Sequence, residues 1–168
     1  MHKYDCNLWE FLKREKIENF GLQKRIKLAI KVVEELSKAH KTKIVHRDIK
    51  PSNIMLDSNL NPVLIDFGIG ESIGFLKGSV GTPGFTAPEQ ISGDKQSYPV
   101  DIYSLGKLFV VILFEWQVGW SLLYSPKKPI ESKKLDTLAD VLDMISRMLQ
   151  VKIIYTLECK SLTEVRFK

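Results

Sequence analysis

Ile44-Val45-His46-Arg47-Asp48-Ile49-Lys50-Pro51-Ser52-Asn53-Ile54-Met55-Leu56, read with Val63-Leu64-Ile65-Asp66-Phe67-Gly68, decides the fold of this 168-residue chain. Ile44-Val45 is a short extended piece, and the polar His46-Arg47-Asp48 after it is a stretch that packing alone would not select. Residues 53–56 and 63–65 read as two short strands. Ser58-Asn59-Leu60-Asn61-Pro62 between them has turn chemistry, so the pair is expected to form a β-hairpin.

Antiparallel pairing around residues 58–62 brings Asn53, which opens the first strand, and Asp66, which closes the second, to the same end. Two hard oxygen ligands side by side suit Mg²⁺, which takes few protein oxygens together with water and substrate phosphates. Asp48 lies five residues before Asn53 with Lys50 between them, so a carboxylate and an ammonium reach the same corner. A carboxylate to orient a hydroxyl, a cation for a phosphate and two metal ligands together describe phosphoryl transfer.

Upstream of this corner, Asp5 to Lys16 reads as a short helix with Leu8, Phe11 and Leu12 on one face. A longer helix is predicted from Gly21 to His40, with Leu22, Ile26, Ala29, Val33 and Leu36 at steps of 4, 3, 4 and 3, and Lys24, Lys27, Lys31, Glu34 and Lys38 opposite. Downstream, Gly68 to Gly93 holds seven glycines and two prolines, which predicts an irregular loop. A loop of that length in a compact domain is usually functional. From Val100 to Trp116 the pattern is helical and apolar nearly all round, and such a helix belongs in the middle of a fold. Residues 125–134 read as a loop, and Leu135, Leu138, Leu142, Ile145 and Leu149 mark a last helix.

Composition is that of an ordinary globular chain, 44% hydrophobic and 27% charged, which argues against wholesale disorder. The longest apolar run, Leu108 to Phe114, is far short of the ~18 residues that span a bilayer. Two cysteines, Cys6 and Cys159, make no disulfide framework, and the start lacks the apolar core of a secretory signal, so an intracellular, cytoplasmic protein is expected. Residues 1–50 carry 13 Lys/Arg against 7 Asp/Glu. These cations alternate with apolar residues at helical spacing and have no aromatic platform, so they read as a solvated helix face and no nucleic-acid partner is expected.

The segment from His46 to Asn53 resembles the catalytic loop of eukaryotic protein kinases. Asp66-Phe67-Gly68 looks like the metal-binding triplet, and Ala87-Pro88-Glu89 like the triplet that closes the activation segment. The resemblance implies an α+β, mainly helical fold: a kinase large lobe with a small β-hairpin at the catalytic cleft. It implies ATP and Mg²⁺ as cofactors and a protein Ser/Thr hydroxyl as acceptor. By position, Asp48 matches the catalytic base. Lys50 matches the lysine that contacts the transferred phosphate and marks serine/threonine specificity, and Asn53 and Asp66 match the Mg²⁺ ligands. Leu8 and Met55 match positions under the adenine ring. Gly81 to Phe85 is similar to the substrate-docking loop, with Thr82 facing Asp48 and Lys50. Arg47 matches the arginine that grips a phosphorylated activation segment, for which Ser79 and Ser72 are candidate carriers. Asp101 matches the aspartate that bonds the catalytic-loop backbone, and His46, Phe67, Gly68 and Glu89 are structural members of their motifs.

The resemblance runs from about Tyr4 to Leu149 and divides residues 1–168, read as a partial kinase domain, into catalytic loop 46–53, metal triplet 66–68, activation segment 66–89 and helical remainder 97–150. Within these 168 residues no glycine-rich loop precedes the catalytic loop, and Gly68 to Gly74 is only a near miss in spacing. No strand lysine of the Val-Ala-Ile-Lys type occurs either. The chain is therefore expected to be a kinase truncated at its small lobe, with a partner that supplies or covers it. The alternative is a catalytically inactive lobe acting as a binding or regulatory module. A small-molecule phosphotransferase fits less well with Lys50-Pro51 and Ala87-Pro88-Glu89. The family's arginine partner for Glu89 is missing from residues 151–156, leaving Arg147 as a substitute.

Overall fold

The computed structural model describes residues 4–15, 19–67, 71–72, 78 and 80–114. Among these, Cys6–Asn7 forms strand β1, Leu8–Arg14 helix α1 and Leu22–Lys41 helix α2. Ile44–Val45 is β2, and Pro51–Asn53 makes one 3₁₀ turn before β3, Ile54–Leu56. Pro62–Leu64 is β4, Glu71–Ser72 is β5, Pro88–Ser92 is α3 and Tyr98–Leu113 is α4.

The hairpin forms as expected, with Ile54 opposite Leu64, Met55 opposite Val63 and Leu56 opposite Pro62. Its turn is organised by Asp57, whose Oδ1 accepts from the Asn59 and Asn61 amides at 2.9 and 2.8 Å. Such a side chain replaces a backbone partner and lets Leu60 take a left-handed φ of 56°. Lys31 of α2 donates to Asn61 Oδ1 at 2.8 Å and ties the turn to the long helix.

A third strand, β1, pairs with β3 on the other side, Cys6 opposite Leu56 and Asn7 opposite Met55. This pairing explains why the first helix starts at Leu8 rather than at Asp5. Residues 6 and 7 are spent on the sheet, and Asn7 then caps the helix. Its side chain accepts from the Glu10 amide while Glu10 accepts from the Asn7 amide, a closed capping box. Leu8, Phe11 and Leu12 form the buried face of α1 as expected.

Helix α2 has the expected extent but a rotated inner face. It buries Arg25, Leu28, Ala29, Val32, Leu36 and His40, whereas Leu22 is 37% exposed and Ile26 and Val33 are only partly covered. Two overlapping series at helical spacing run along this helix. The one that reaches α4 includes two polar residues, so apolar periodicity alone points to the wrong one.

Helix α4 begins two residues earlier than expected, with Pro99 in its first turn, where a missing N–H costs nothing. No residue of α4 is exposed, so the all-round apolar helix does occupy the centre. Leu105, Leu108, Phe109, Val111 and Ile112 join Leu28, Val32 and Leu36 of α2 and Ile54 and Leu56 of β3 in one core. Each such buried Leu or Ile contributes about 1.5–3 kcal/mol.

The stretch read as irregular, Gly68 to Gly93, contains two elements: β5, antiparallel to β2 with Ile44 opposite Ser72 and Val45 opposite Glu71, and helix α3. Gly93 ends α3 with φ 74°, a left-handed cap that suits glycine. The loop at 125–134, the helix expected over Leu135–Leu149, Trp116, Gly68, Ser79 and Arg147 lie outside the described residues. Among the described residues no helix is long and apolar enough to cross a membrane.

Candidate active site

The loop between β2 and β3 has almost no regular backbone pairing, so side chains from remote segments must hold it. Asp101, in the first turn of α4, is fully buried and does most of this. Its Oδ1 accepts from the Arg47 amide at 2.8 Å, and its Oδ2 accepts from the His46 amide at 2.8 Å. His40, the last buried residue of α2, brings Nε2 to the same Oδ2 at 2.8 Å. A carboxylate only accepts, so that nitrogen carries the proton. Arg47 takes φ 67°, a left-handed conformation costing a non-glycine residue about 1–2 kcal/mol. Charge-assisted bonds from Asp101 offset that cost.

His46 points the other way. Its Nε2 lies 3.0 Å from the Ile65 carbonyl, which can only accept, and its Nδ1 accepts from the Asp48 amide at 3.3 Å. The neutral tautomer protonated on Nε2 satisfies both. The ring also packs on Phe67 with centroids 4.5 Å apart. His46 thus links the loop to the strand end that carries Asp66.

Asp48, Lys50 and Thr82 close a triangle. Asp48 Oδ1 accepts from the Thr82 hydroxyl at 2.6 Å, Asp48 Oδ2 lies 2.7 Å from the Lys50 ammonium, and that ammonium donates to Thr82 Oγ1 at 2.8 Å. Partial burial pushes the Asp48 carboxyl up, but Lys50, Thr82 and Asn53 together more than reverse this and hold it below the usual carboxylate range. At neutral pH Asp48 is a charged acceptor aimed at a hydroxyl.

Asn53 is buried, and its amide nitrogen donates to the Asp48 carbonyl at 2.9 Å and to Asp48 Oδ2 at 3.1 Å. Its Oδ1 is then the group left to offer a ligand. The Ile65 amide donates to the Asn53 carbonyl at 3.0 Å, extending the hairpin pairing by one step, so Asp66 follows directly at the same end. Asp66 is exposed and has φ 61°. An amide oxygen and a carboxylate at one strand end are hard donors of the kind Mg²⁺ takes.

The two residues expected under an adenine ring differ. Met55 is half-buried on β3, whereas Leu8 is 0% exposed within the core. A fully covered side chain has no surface to give a nucleotide, so Leu8 supports the sheet from beneath and does not touch a base. Below the docking segment, Ser104 of α4 donates to the Phe85 carbonyl at 2.8 Å. Gly81 takes φ 117°, and a Cβ there would stand 2.9 Å from Thr86 Oγ1 and 3.3 Å from the Arg47 carbonyl. Among the described residues no ion pair reaches Glu89. Burial, then the nearby Glu89 charge, pushes the Tyr103 phenol up, and burial pushes the Lys107 ammonium down.

Sequence reasoning missed five buried polar residues, Ser104 of α4 among them. Arg25 donates to the carbonyls of Phe20 and Ile112 at 2.8 Å and of Glu15 and Phe114 at 3.3 Å, closing the C-terminal end of α4. His40, Gln90 and Gln96 are likewise buried. The two on α2 had a legible signal: His40 continues the Leu36 series by a step of four, and Arg25 precedes Ala29 by the same step.

The family model described as protein kinase domain matches residues 2–162. Part of the chain is 42% identical over 86 residues to the "Carbon catabolite-derepressing protein kinase" of Saccharomyces cerevisiae, covering 49% of this chain and 14% of that protein. It is 46% identical over 78 residues to the "Sucrose non-fermenting protein kinase 1" of Fusarium virguliforme, covering 44% of this chain and 11% of that one. It is 37% identical over 90 residues to the "Probable serine/threonine-protein kinase mkcF" of Dictyostelium discoideum, covering 52% and 13%. These alignments reach 14% or less of each relative's length. The family match takes in both the carboxylate–ammonium–hydroxyl triangle and the α4 aspartate beneath it, and the chain belongs to the protein kinase domain family.

Proposed function

We propose that the chain is the large lobe of a serine/threonine protein kinase, which transfers the γ-phosphoryl group of ATP to a protein Ser or Thr hydroxyl. The observation that carries this reading is the triangle of Asp48, Lys50 and Thr82, in which a threonine hydroxyl already sits 2.6 Å from the carboxylate. An acceptor hydroxyl taking that place would be oriented by Asp48 and would give up its proton to it as the new P–O bond forms. Lys50 would neutralise charge on the phosphoryl oxygens. Asn53 Oδ1 and the Asp66 carboxylate would hold Mg²⁺, which when bound screens the phosphate charge. Met55 would lie under the adenine. Arg47 would receive a phosphate carried on the activation segment at Ser72 or Ser79.

A nucleotide cover would come from flanking sequence or from a partner chain. The 168 residues alone should therefore bind Mg-ATP weakly and turn over slowly, because lost orientation costs orders of magnitude in rate. The test is transfer of radiolabelled phosphate from ATP to a Ser/Thr peptide, with Asp48→Asn as control, before and after flanking sequence is restored. Asp48-dependent transfer that rises on restoration supports the reading. Its absence in both forms overturns the reading in favour of a binding or regulatory module.

A further inference from the structure

Gln90 is 0% exposed and uses both ends of its side-chain amide. Oε1 accepts from the Ala87 amide at 3.0 Å, while Nε2 donates to the Arg47 carbonyl at 2.8 Å and the Val80 carbonyl at 3.2 Å. The first bond belongs to helix α3 alone. Gln90 is the third residue of that helix, and a third-position side chain reaching back to the N-cap amide is ordinary capping, which Glu performs equally well. The two bonds from Nε2 take no part in capping. They join two segments 33 positions apart, residues 47 and 80.

The Arg47 carbonyl shares one rigid peptide plane with the Asp48 amide, so fixing that oxygen fixes the direction in which the chain enters Asp48. Asp101 already grips the Arg47 amide at 2.8 Å. With Gln90 on the carbonyl, both backbone groups of this left-handed residue are held by side chains of two different helices. The Val80 carbonyl opens the segment that places Thr82 against Asp48, and this segment passes close to the Arg47 carbonyl: a Cβ on Gly81 would stand 3.3 Å from that oxygen and 2.9 Å from Thr86 Oγ1.

We propose that Gln90 is a positioning residue that couples the acceptor-presenting segment 80–87 to Asp48, by bridging the Val80 and Arg47 carbonyls through one amide nitrogen. The proposal rests on the kinase reading above. Gln96 supplies the comparison. It is 2% exposed and donates to the Gly78 carbonyl at 2.8 Å, on the same activation segment, yet it has no bond to the catalytic loop.

The test uses Gln90→Glu, Gln90→Met and Gln96→Met in the full-length protein, read by amide exchange at Arg47 and Asp48, by urea unfolding and by initial rates on a Ser/Thr peptide. Gln90→Glu keeps the capping acceptor and removes the donor. Both Gln90 variants should speed exchange at the Arg47 and Asp48 amides by about tenfold. They should lower kcat by about a hundredfold, with the KM for ATP moving less than about twofold. Gln96→Met should leave exchange at those two amides unchanged. Where a buried carboxylate prevents Gln90→Glu from folding, as the urea curve reports, Gln90→Met decides alone. Unchanged protection of Arg47 and Asp48 in Gln90→Met overturns the proposal, whatever happens to the rate. A wild-type protein without phosphotransfer overturns the kinase reading, and the exchange comparison still decides whether Gln90 holds the Asp48 peptide.

Discussion

Asp101→Asn is the most informative single change, because it keeps the shape of the side chain and removes one acceptor. The carboxylate receives the Arg47 amide on Oδ1 and both the His46 amide and His40 Nε2 on Oδ2. Asparagine has one oxygen and one NH₂. If its oxygen stays near His46 and His40, the NH₂ faces the Arg47 amide, donor against donor. If its oxygen faces Arg47, His40 can switch tautomer to accept from the NH₂, but the His46 amide is orphaned. Either way one buried backbone N–H loses its partner, at about 1–3 kcal/mol, and the surviving bonds lose their charge assistance. Relief from burying a charge offsets part of this. A net loss of about 3 kcal/mol is expected, which lowers Tm by about 6–12 °C for a domain of this size. Urea unfolding followed by tryptophan fluorescence gives the stability, and amide exchange gives the location, with His46 and Arg47 exchanging faster than the α2 core. Asp101→Leu, which removes every acceptor, should be worse. An Asp101→Asn protein within about 0.5 kcal/mol of wild type, with normal protection at His46 and Arg47, would refute the reasoning.

Three other outcomes follow from the same structure. Gly81→Ala combines a positive φ with a close approach to Thr86 and the Arg47 carbonyl, so it should cost about 1–3 kcal/mol and disturb Thr82; unchanged urea midpoint and peptide turnover would count against it. Arg25→Leu removes four bonds to backbone carbonyls, two at the end of α4 and two at Glu15 and Phe20, and should destabilise by about 3 kcal/mol or more, measured by thermal unfolding; a change under about 0.5 kcal/mol would show that water replaces the guanidinium freely. The Asp48 carboxyl is held below its ordinary range, so its contribution to stability is present above that range and lost as pH falls through the lowered folded value, below about pH 4. The stability difference between wild type and Asp48→Asn should therefore be flat from pH 7 to 5, and a slope there would contradict the assignment.

What was legible in the sequence divides along physical lines. The hairpin and the central helix were readable because each is specified by local pattern: turn residues at 58–62 between two apolar runs, and apolar residues on every side of 105–114. The catalytic corner was readable because Asp48, Lys50 and Asn53 are close in sequence, and the hairpin alone folds Asp66 toward them. The supports were not readable. Asp101, 53 positions beyond Asp48, was placed by family resemblance and not by pattern. Gln90 gives no periodic signal, and Arg25, although four positions before Ala29, looks like a surface residue until the partners of its guanidinium are known. The inner face of α2 was misjudged for the same reason: Arg25 and His40 lie on it, and a rule that seeks apolar residues excludes both. Strand β1 was missed because a two-residue strand has no period to detect.

The way the corner is held bears on what a nucleotide cover has to do. Backbone groups of residues 46–48 are fixed by Asp101 from α4, Gln90 from α3 and the His46 ring against Ile65 of the hairpin end. None of these partners lies in a glycine-rich loop or on a lysine-bearing strand. The triangle of Asp48, Lys50 and Thr82 likewise closes among side chains of the described residues. On the kinase reading proposed above, the acceptor side of the site is held by the helices themselves, where each charge-assisted bond in a partly dry corner is worth more than in water. What remains to be supplied is orientation of the donor phosphate. Added flanking sequence, or a covering partner, should then raise the rate through nucleotide affinity and phosphate alignment while leaving amide protection at His46, Arg47 and Asp48 as it is. Protection at those amides that appears only when the cover is added would mean that the helices do not suffice, and that the catalytic loop is built jointly with the cover.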